Sequence, residues 1–242
     1  MRCSRRLLLI AGFGLVLSPR FALADIRGSG NATTQRRDIG GFTAVSLSAP
    51  FAVVLRPASR ESIEIVADDN VVPLIETRLR GSVTSRTLEI GLPHGSRIDP
   101  RTPVVVTVEY VRLSVLLLGG AGSIAGSAVR AGKLDASIGG SGALRLPGLE
   151  ADELAVSIGG SGVFEGDGRV RKVALAIGGS GRCQAEGLVA GEVSVSIAGS
   201  GSARVHAETA LHASIVGSGE VFYRGAPALY TSSIGTGRVQ RI

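Results

Sequence analysis

The sequence has few of the residues on which binding and catalytic sites are usually built. Its 242 residues include no tryptophan, three tyrosines, six phenylalanines, three histidines and two cysteines. The few aromatic residues are not interleaved with basic clusters, so the chain lacks the stacking platforms that bind single-stranded nucleic acid. We therefore expect no nucleic-acid partner.

Helical patterns and long apolar runs are also missing. No ten-residue helical pattern fits the second half of the chain, and no run approaches the roughly 18 apolar residues of a membrane-spanning helix. Glycine is abundant instead, with 35 residues, about twice its usual share of roughly 7%. This composition argues against a large helical domain, and a hydrophobic content of 44% excludes a disordered chain. We expect no transmembrane segment in the mature chain.

Residues 1–24 have the pattern of a secretory signal peptide. Arginines at positions 2, 5 and 6 precede an apolar stretch at 7–17, and Ala22-Leu23-Ala24 matches a cleavage site. The paired arginines also resemble a twin-arginine signal, so export by the general secretory route or the twin-arginine route stays open. The pattern predicts an exported protein, located in the periplasm or on the cell surface.

Removal of this segment changes the charge and the cysteine count. Four arginines leave with it, so the mature chain carries 22 basic and 20 acidic residues. This small excess gives no reason to expect nucleic-acid binding. Cys3 leaves as well, and Cys183 remains as a single cysteine in an apolar position, where a buried structural thiol is favoured over a nucleophile.

The second half of the chain is a repeat. A small-residue tripeptide recurs in steps of 18 to 20 residues, and 26 of the 35 glycines lie between positions 119 and 237. An alternating apolar and polar run precedes each tripeptide, which predicts a strand with one buried face. The tripeptides begin at Gly120, Gly140, Gly160, Gly179, Gly199, Gly217 and Gly235.

Such short units bury their apolar faces only by stacking, so the repeat predicts an all-β fold, a parallel β-helix-like solenoid. We call one repeat a rung. The stacking predicts an inward column at Ile138, Ile158, Ile177, Ile197 and Ile215. It predicts a flat polar face, the candidate binding face, at Ser137, Ser157, Ala176, Ser196 and Ser214. It also predicts a structural hydroxyl ladder at Ser141, Ser161, Ser180, Ser200, Ser218 and Thr236. The last rung ends in the charged segment 239–242, which we interpret as a blunted edge.

The N-terminal part is less regular. Residues 25–40 are polar and predict a loose lead-in, and residues 41–111 predict irregular β rungs or a β cap. The regular solenoid then occupies 112–242 and is continuous with the preceding part. Asp68-Asp69-Asn70 is typical of a turn, which we favour over a calcium loop because the ligand spacing is absent.

The mature chain resembles the putative auto-transporter adhesin, head GIN domain family of exported bacterial proteins. The matching segments include Phe42–Val45, Phe51–Leu55, Leu88–Ile90, the Gly-Ser-Gly repeats and Val221–Pro227. The resemblance covers residues 38–242. It implies a β-helix-like fold and a role in adhesion, and the family supplies no catalytic residues to transfer.

No catalytic, cofactor or metal site is predicted. The serines of the repeat lack the Gly-x-Ser-x-Gly spacing of a nucleophile elbow. His206 and His212 lack further ligands for zinc, and His212 follows an inward leucine and should point outward.

Three functions fit these observations. The leading hypothesis is a non-enzymatic envelope module that binds or adheres through the candidate binding face, with an envelope protein or a glycan as partner. The second is a periplasmic enzyme acting on glycan or lipid, with paired carboxylates drawn from Glu150, Asp152, Glu165 or Asp167. The third is a periplasmic sensor or assembly accessory.

Overall fold

The computed structural model describes residues 25–82 and 85–242. The predicted signal peptide at 1–24 lies outside the described residues. The described chain is nearly all β, and its helical content is one short 3-10 turn at Val72–Leu74. Within these ranges, no helix is long and apolar enough to span a membrane.

Nineteen strands are formed in the described ranges. Those of the N-terminal part are β1 Asp25–Arg27, β2 Ala32–Arg37, β3 Ala44–Leu47, β4 Ala52–Pro57, β5 Ser62–Asp68, β6 Glu76–Ser82, β7 Ser85–Gly91, β8 Arg97–Asp99 and β9 Val105–Tyr110. Those of the repeat are β10 Val115–Gly120, β11 Ser123–Gly126, β12 Arg130–Gly140, β13 Ala143–Gly160, β14 Val163–Gly179, β15 Arg182–Gly199, β16 Ser202–Gly217, β17 Glu220–Arg224, β18 Ala228–Gly235 and β19 Arg238–Arg241.

The repeat folds into a parallel β-solenoid, as the sequence predicts. Each rung pairs in parallel with the next, from β10 through β12, β13, β14, β15 and β16 to β18. The registers align equivalent positions of the repeats, for example Ile138 with Ile158 and Ile158 with Ile177. Register shifts occur at the second corner, as between Leu146 and Leu149, and once more between Ala190 and Glu192, at places where repeat lengths differ.

The core is a set of vertical apolar columns. All five members of the predicted isoleucine column are at most 2% exposed. A second column is also buried, at Leu134, Leu154, Val173, Val193 and Leu211, and a third contains Leu144, Phe164, Cys183, Ala203 and Val221. These columns merge with the N-terminal apolar residues into one cluster, so the molecule has a single continuous core.

The tripeptide corner requires glycine for two different reasons. At its first position Gly160 has φ of +121°, and a Cβ there would lie 2.7 Å from the carbonyl oxygen of Gly140 in the preceding rung. At its last position Gly162 faces the core, and a Cβ would lie 2.5 Å from Cγ2 of Ile138. The positive φ therefore requires glycine at the first position, whereas close packing on the isoleucine column requires glycine at the last.

The N-terminal rungs are stacked in a different order from the chain. The rung formed by β3 and β4 lies between the rung of β7 and β9 and that of β10 and β11. Antiparallel strands then cover the first rung, because β6 pairs with β7, β5 pairs with β9, and β2 pairs with β5.

Residues 25–40 differ from the predicted loose lead-in. They contain β1, which pairs with β8, and β2, which pairs with β5. Apart from the half-buried Thr33 and Arg37, the residues of β2 are exposed. An edge strand of this kind is held by its backbone, so its sequence carries no apolar alternation to reveal it.

Candidate binding face

The predicted binding-face residues lie in one straight outward column. Ser137, Ser157, Ala176, Ser196 and Ser214 are paired rung to rung in a single register. Adjacent rungs of a sheet lie about 4.8 Å apart, so the column is about 19 Å long. Ser137 is half-buried and the other four are exposed.

Small residues on both sides keep the middle of this face flat, from Ser157 to Ser196. One flanking column contains Ala155, Ala174 and Ser194, and the other contains Gly139, Gly159, Gly178 and Ala198. Side chains of this size rise little above the sheet, so the backbone plane is accessible to a partner over several rungs.

A column of alternating charge borders the face. Lys133, Glu153, Lys172 and Glu192 follow one another in register. Nζ of Lys172 lies 2.8 Å from Oε2 of Glu192, and this hydrogen bond, together with the lysine charge, lowers the pKa of Glu192. A shallow depression of about 360 Å³ lies between this column and the small residues. Because two lysines alternate with two glutamates, this border has no net charge.

An aromatic pair stands at the C-terminal end of the same face. The rings of His212 and Tyr230 are stacked, with centroids 4.7 Å apart and planes 8° apart. His212 points outward, as predicted. Tyr230 was not among the residues predicted from the sequence. The signal that could have found it is its position 18 residues after His212, the same step that separates Gly217 from Gly235.

The predicted hydroxyl ladder occupies the first corner of the solenoid. Its six residues are exposed. The rung-to-rung hydrogen bonds at these positions are made by the backbone, as when the N–H of Ser161 donates to Gly140 and that of Ser180 donates to Gly160, each at 2.9 Å. The hydroxyl groups themselves therefore face solvent at the edge of the candidate face.

The acids considered for catalysis lie on the solenoid surface. Glu150 pairs with Arg130 at 3.1 Å, and Glu165 pairs with Arg145 at 2.8 Å. Asp167 accepts a hydrogen bond from the N–H of Gly148 at 2.8 Å, and Asp152 is exposed. Glu150 and Asp152 line an open groove of about 890 Å³. Three of the four acids thus serve neighbouring rungs as ion-pair or corner partners.

The isolated cysteine and histidines are not assembled into a site. Cys183 is 3% exposed and lies in the core, as its apolar position predicts, and burial raises the pKa of its thiol to about 12. His206 is half-buried, whereas His94 and His212 are exposed. Within residues 25–82 and 85–242, no three histidine, cysteine or acidic side chains are grouped to hold a metal ion.

Asp68 organises the N-terminal loops. Its carboxylate is fully buried and accepts hydrogen bonds from the N–H groups of Gly30, Arg101 and Thr102 and from the Thr102 hydroxyl. Burial alone would raise the pKa of Asp68, but these hydrogen bonds outweigh it and the pKa is lowered. The arrangement supports the predicted turn, because a ring of donors occupies the oxygens that a cation would need.

The comparisons with other proteins agree with this architecture. The family model described as putative auto-transporter adhesin, head GIN domain, matches residues 41–227. A crystal structure of a putative adhesin from Bacteroides fragilis has a TM-score of 0.82 at 22% identity, over 90% of this chain and all of the other. With the same coverage, a putative lipid binding protein and a putative adhesin, both from Parabacteroides distasonis, give TM-scores of 0.75 and 0.70 at 24% and 25% identity. No curated relative matches the sequence.

Proposed function

Because the chain belongs to the putative auto-transporter adhesin, head GIN domain family, we propose that it is a non-enzymatic exported binding module of the cell envelope. The proposed contact surface is the candidate binding face, and the proposed partner is an envelope protein or a glycan. The carrying observation is the straight column from Ser137 to Ser214, which small residues border on both sides over its middle rungs, from Ser157 to Ser196. A parallel solenoid holds this surface rigidly, so a partner binds without the entropy cost of ordering it.

The charge distribution supports recognition by shape and hydrogen bonds. Serine hydroxyl groups on the face donate and accept hydrogen bonds, as sugar hydroxyls and peptide groups do. The alternating border from Lys133 to Glu192 carries no net charge. A neutral or mixed-charge partner is therefore favoured over a polyanion.

The surroundings of the candidate acids favour binding over catalysis. A general acid commonly sits in an apolar pocket that raises its pKa. Glu150 and Glu165 lie instead on the surface beside arginines. Such ion pairs join directly opposite residues of neighbouring strands and stabilise the sheet.

Arginine substitutions on the face test the binding role. Ala176→Arg and Ser196→Arg each place a long charged side chain on the flat surface, and Gln184→Arg places the same side chain on another exposed outward position of the solenoid. The purified mature chain is tested against immobilised envelope polysaccharides and by crosslinking to envelope proteins. We expect the two face variants to lose at least about tenfold in binding and the control to bind as wild type. Equal binding by all three variants would contradict the assignment of the surface.

Accessibility in intact cells separates the two proposed locations. Digestion of the chain by protease added to intact cells would place the face outside the cell and favour adhesion. Protection until the outer membrane is opened would place it in the periplasm and direct the search to envelope partners. Retention of the full-length precursor in the cytoplasm would refute export.

A further inference from the structure

The two ends of the solenoid differ in how their strand edges are covered. At the N-terminal end, β6 covers β7, and β5 and β2 cover β9. At the C-terminal end, β18 pairs with β16 along one edge. In the described part of the chain, the register of no other strand reaches the second edge of β18. Within the described residues, antiparallel strands therefore cover the first rung, whereas the last rung leaves one edge of β18 unpaired.

The open edge has none of the usual protection against strand pairing. Edge strands are commonly blunted by lysine, proline or a bulge, but β18 has the sequence ALYTSSIG, without a charge or a proline. The charged finish expected at 239–242 lies instead on the next strand along the chain, β19, at Arg241.

Apolar side chains are concentrated at the same end. Of the eight large hydrophobic residues exposed in the described ranges, five lie in the last two rungs: Val216, Leu229, Tyr230, Ile234 and Ile242. Ile234 is the most exposed of them, at 70%. A clustered apolar surface of this kind marks an interaction site more often than scattered single residues do.

The backbone of β18 directs hydrogen-bonding groups to the open edge. Alternate residues of a strand direct their N–H and C=O groups to opposite neighbours. On an earlier rung the N–H of Asp135, in the same column as Tyr230, donates to Ser114 of the preceding rung at 2.8 Å. By the same alternation Thr231 and Ser233 direct their N–H and C=O groups away from β16, to the open edge.

We propose that two copies of this chain associate through β18, with antiparallel pairing about a two-fold axis at Ser232. The strand is self-complementary in this register. Tyr230 lies opposite Ile234 of the second copy, which pairs an aromatic with a β-branched residue, and Thr231 lies opposite Ser233, which pairs two hydroxyl side chains. Each favourable pair occurs twice, because the axis repeats it.

The strands at the N-terminal end favour a closed dimer over a growing head-to-tail chain of molecules. A head-to-tail contact would bring β18 against the edge strands of the N-terminal end, β2 and β6. These strands carry charged side chains, at Arg36 and Arg37 and at Glu76, Arg78 and Arg80, which disfavour further strand pairing. Pairing of like ends uses the same surface on both copies and leaves no further edge of this kind. The strand β19 lies to one side of the face, and the two-fold axis places it beside the opposite side in the second copy. Arg238 and Arg241 therefore do not lie opposite their own counterparts. In the dimer, the two candidate faces lie end to end in one sheet.

A disulfide at the axis tests the register. Ser232 would form a non-hydrogen-bonded pair with its counterpart, whose Cα atoms are about 4.5 Å apart, within the range of a disulfide. We expect Ser232→Cys to give a covalent dimer on mild oxidation of the mature chain. Ser214→Cys, in the same column one rung earlier, should stay monomeric under non-reducing electrophoresis. The native Cys183 is buried and should not contribute.

A charge at the axis tests the association itself, without any ligand. Analytical ultracentrifugation over a concentration series should show a monomer–dimer equilibrium for the wild-type mature chain. Ser232→Lys should raise the dimer dissociation constant at least about tenfold, because like charges lie directly opposite, and Ser214→Lys should leave it unchanged. A wild-type chain that stays monomeric at every concentration, forms open-ended filaments, or crosslinks equally through both cysteine variants would overturn the proposal.

Discussion

Asp68 is the one charged or polar residue that the described chain buries among its core residues. Four donors surround it, from the loops that contain Gly30 and Arg101–Thr102. A carboxylate has only acceptor oxygens, so it satisfies all of these donors together. The residue therefore ties the loops before β2 and before β9 to the end of β5.

Replacement of this carboxylate should destabilise the fold in a pH-dependent way. In Asp68→Asn the amide nitrogen would face backbone N–H groups, and we expect Tm to fall by about 5 °C or more at neutral pH. The folded pKa of Asp68 is lowered from 3.8, so the wild-type advantage is present above that pH and is lost as the pH falls through the folded pKa. Calorimetry of both proteins between neutral and acidic pH measures the difference.

The exposed neighbour Asp69 provides the control. Asp69→Asn should change Tm by no more than a degree or two, because its side chain lies at the surface. An Asp68→Asn protein as stable as the wild type at neutral pH would show that the buried carboxylate is not the organising group.

Cys183 should be chemically silent in the folded protein. Its pKa of about 12 and its burial keep the thiol protonated and out of reach, so Ellman's reagent should not react at pH 8 until a denaturant is added. Because the folded pKa lies above the ordinary 9.0, its stabilising contribution is full below pH 9 and decreases as the pH rises towards 12. Rapid labelling of the native chain would contradict the buried position.

At the scale of the element, contacts between an isoleucine of one rung and a glycine of the next hold the repeat in register. Each isoleucine of the inward column reaches the last glycine of the tripeptide in the next rung, as Ile138 reaches Gly162. The first glycine of the tripeptide turns the chain. The N–H of the residue that follows it donates a hydrogen bond to the preceding rung. Close approach of isoleucine and glycine is thus the repeated contact from which the solenoid is built.

A single methyl group should distinguish a glycine packed on the core from a glycine that faces outward. Gly162→Ala would place Cβ 2.5 Å from Ile138, and we expect a loss of about 1–3 kcal/mol in the free energy of unfolding. Gly139→Ala meets nothing within 4 Å, and Ala198 occupies the same column, so its effect should stay within about 0.5 kcal/mol. Urea unfolding followed by circular dichroism measures both; equal losses would refute the packing role of Gly162.

The sequence predicted the solenoid well because its repeats are local and regular. The tripeptides and the alternation before them are sufficient to align Ile138 with Ile158 and Ser137 with Ser157. The order of the first rungs was not predictable in this way, since the pairing of β3 with β7 and β10 joins segments far apart in the chain. Of the candidate site, the serine column was predictable, whereas the His212–Tyr230 stack became visible only once the last rungs were in register.

At the scale of the whole molecule, one core runs through the irregular and the regular part. Val53, in β4, and Ile124, in β11, are both fully buried members of the same cluster, and their strands are paired directly. Backbone pairing also joins β3 to β10. Among the described residues, packing is continuous from 41–111 into the repeat that follows, so the two parts should depend on each other for stability.

This continuity predicts one cooperative unfolding transition. Pulse labelling by hydrogen exchange along a urea series should show β5, in the N-terminal part, and β15, in the regular solenoid, losing protection at the same midpoint. The strands of the last rung should exchange earlier, because β18 is exposed along its whole length, and raising the protein concentration should slow them if the edges pair. Two separate midpoints for β5 and β15 would instead define two units, since stacked repeats unfold separately whenever the contact between them is weaker than the repeats themselves.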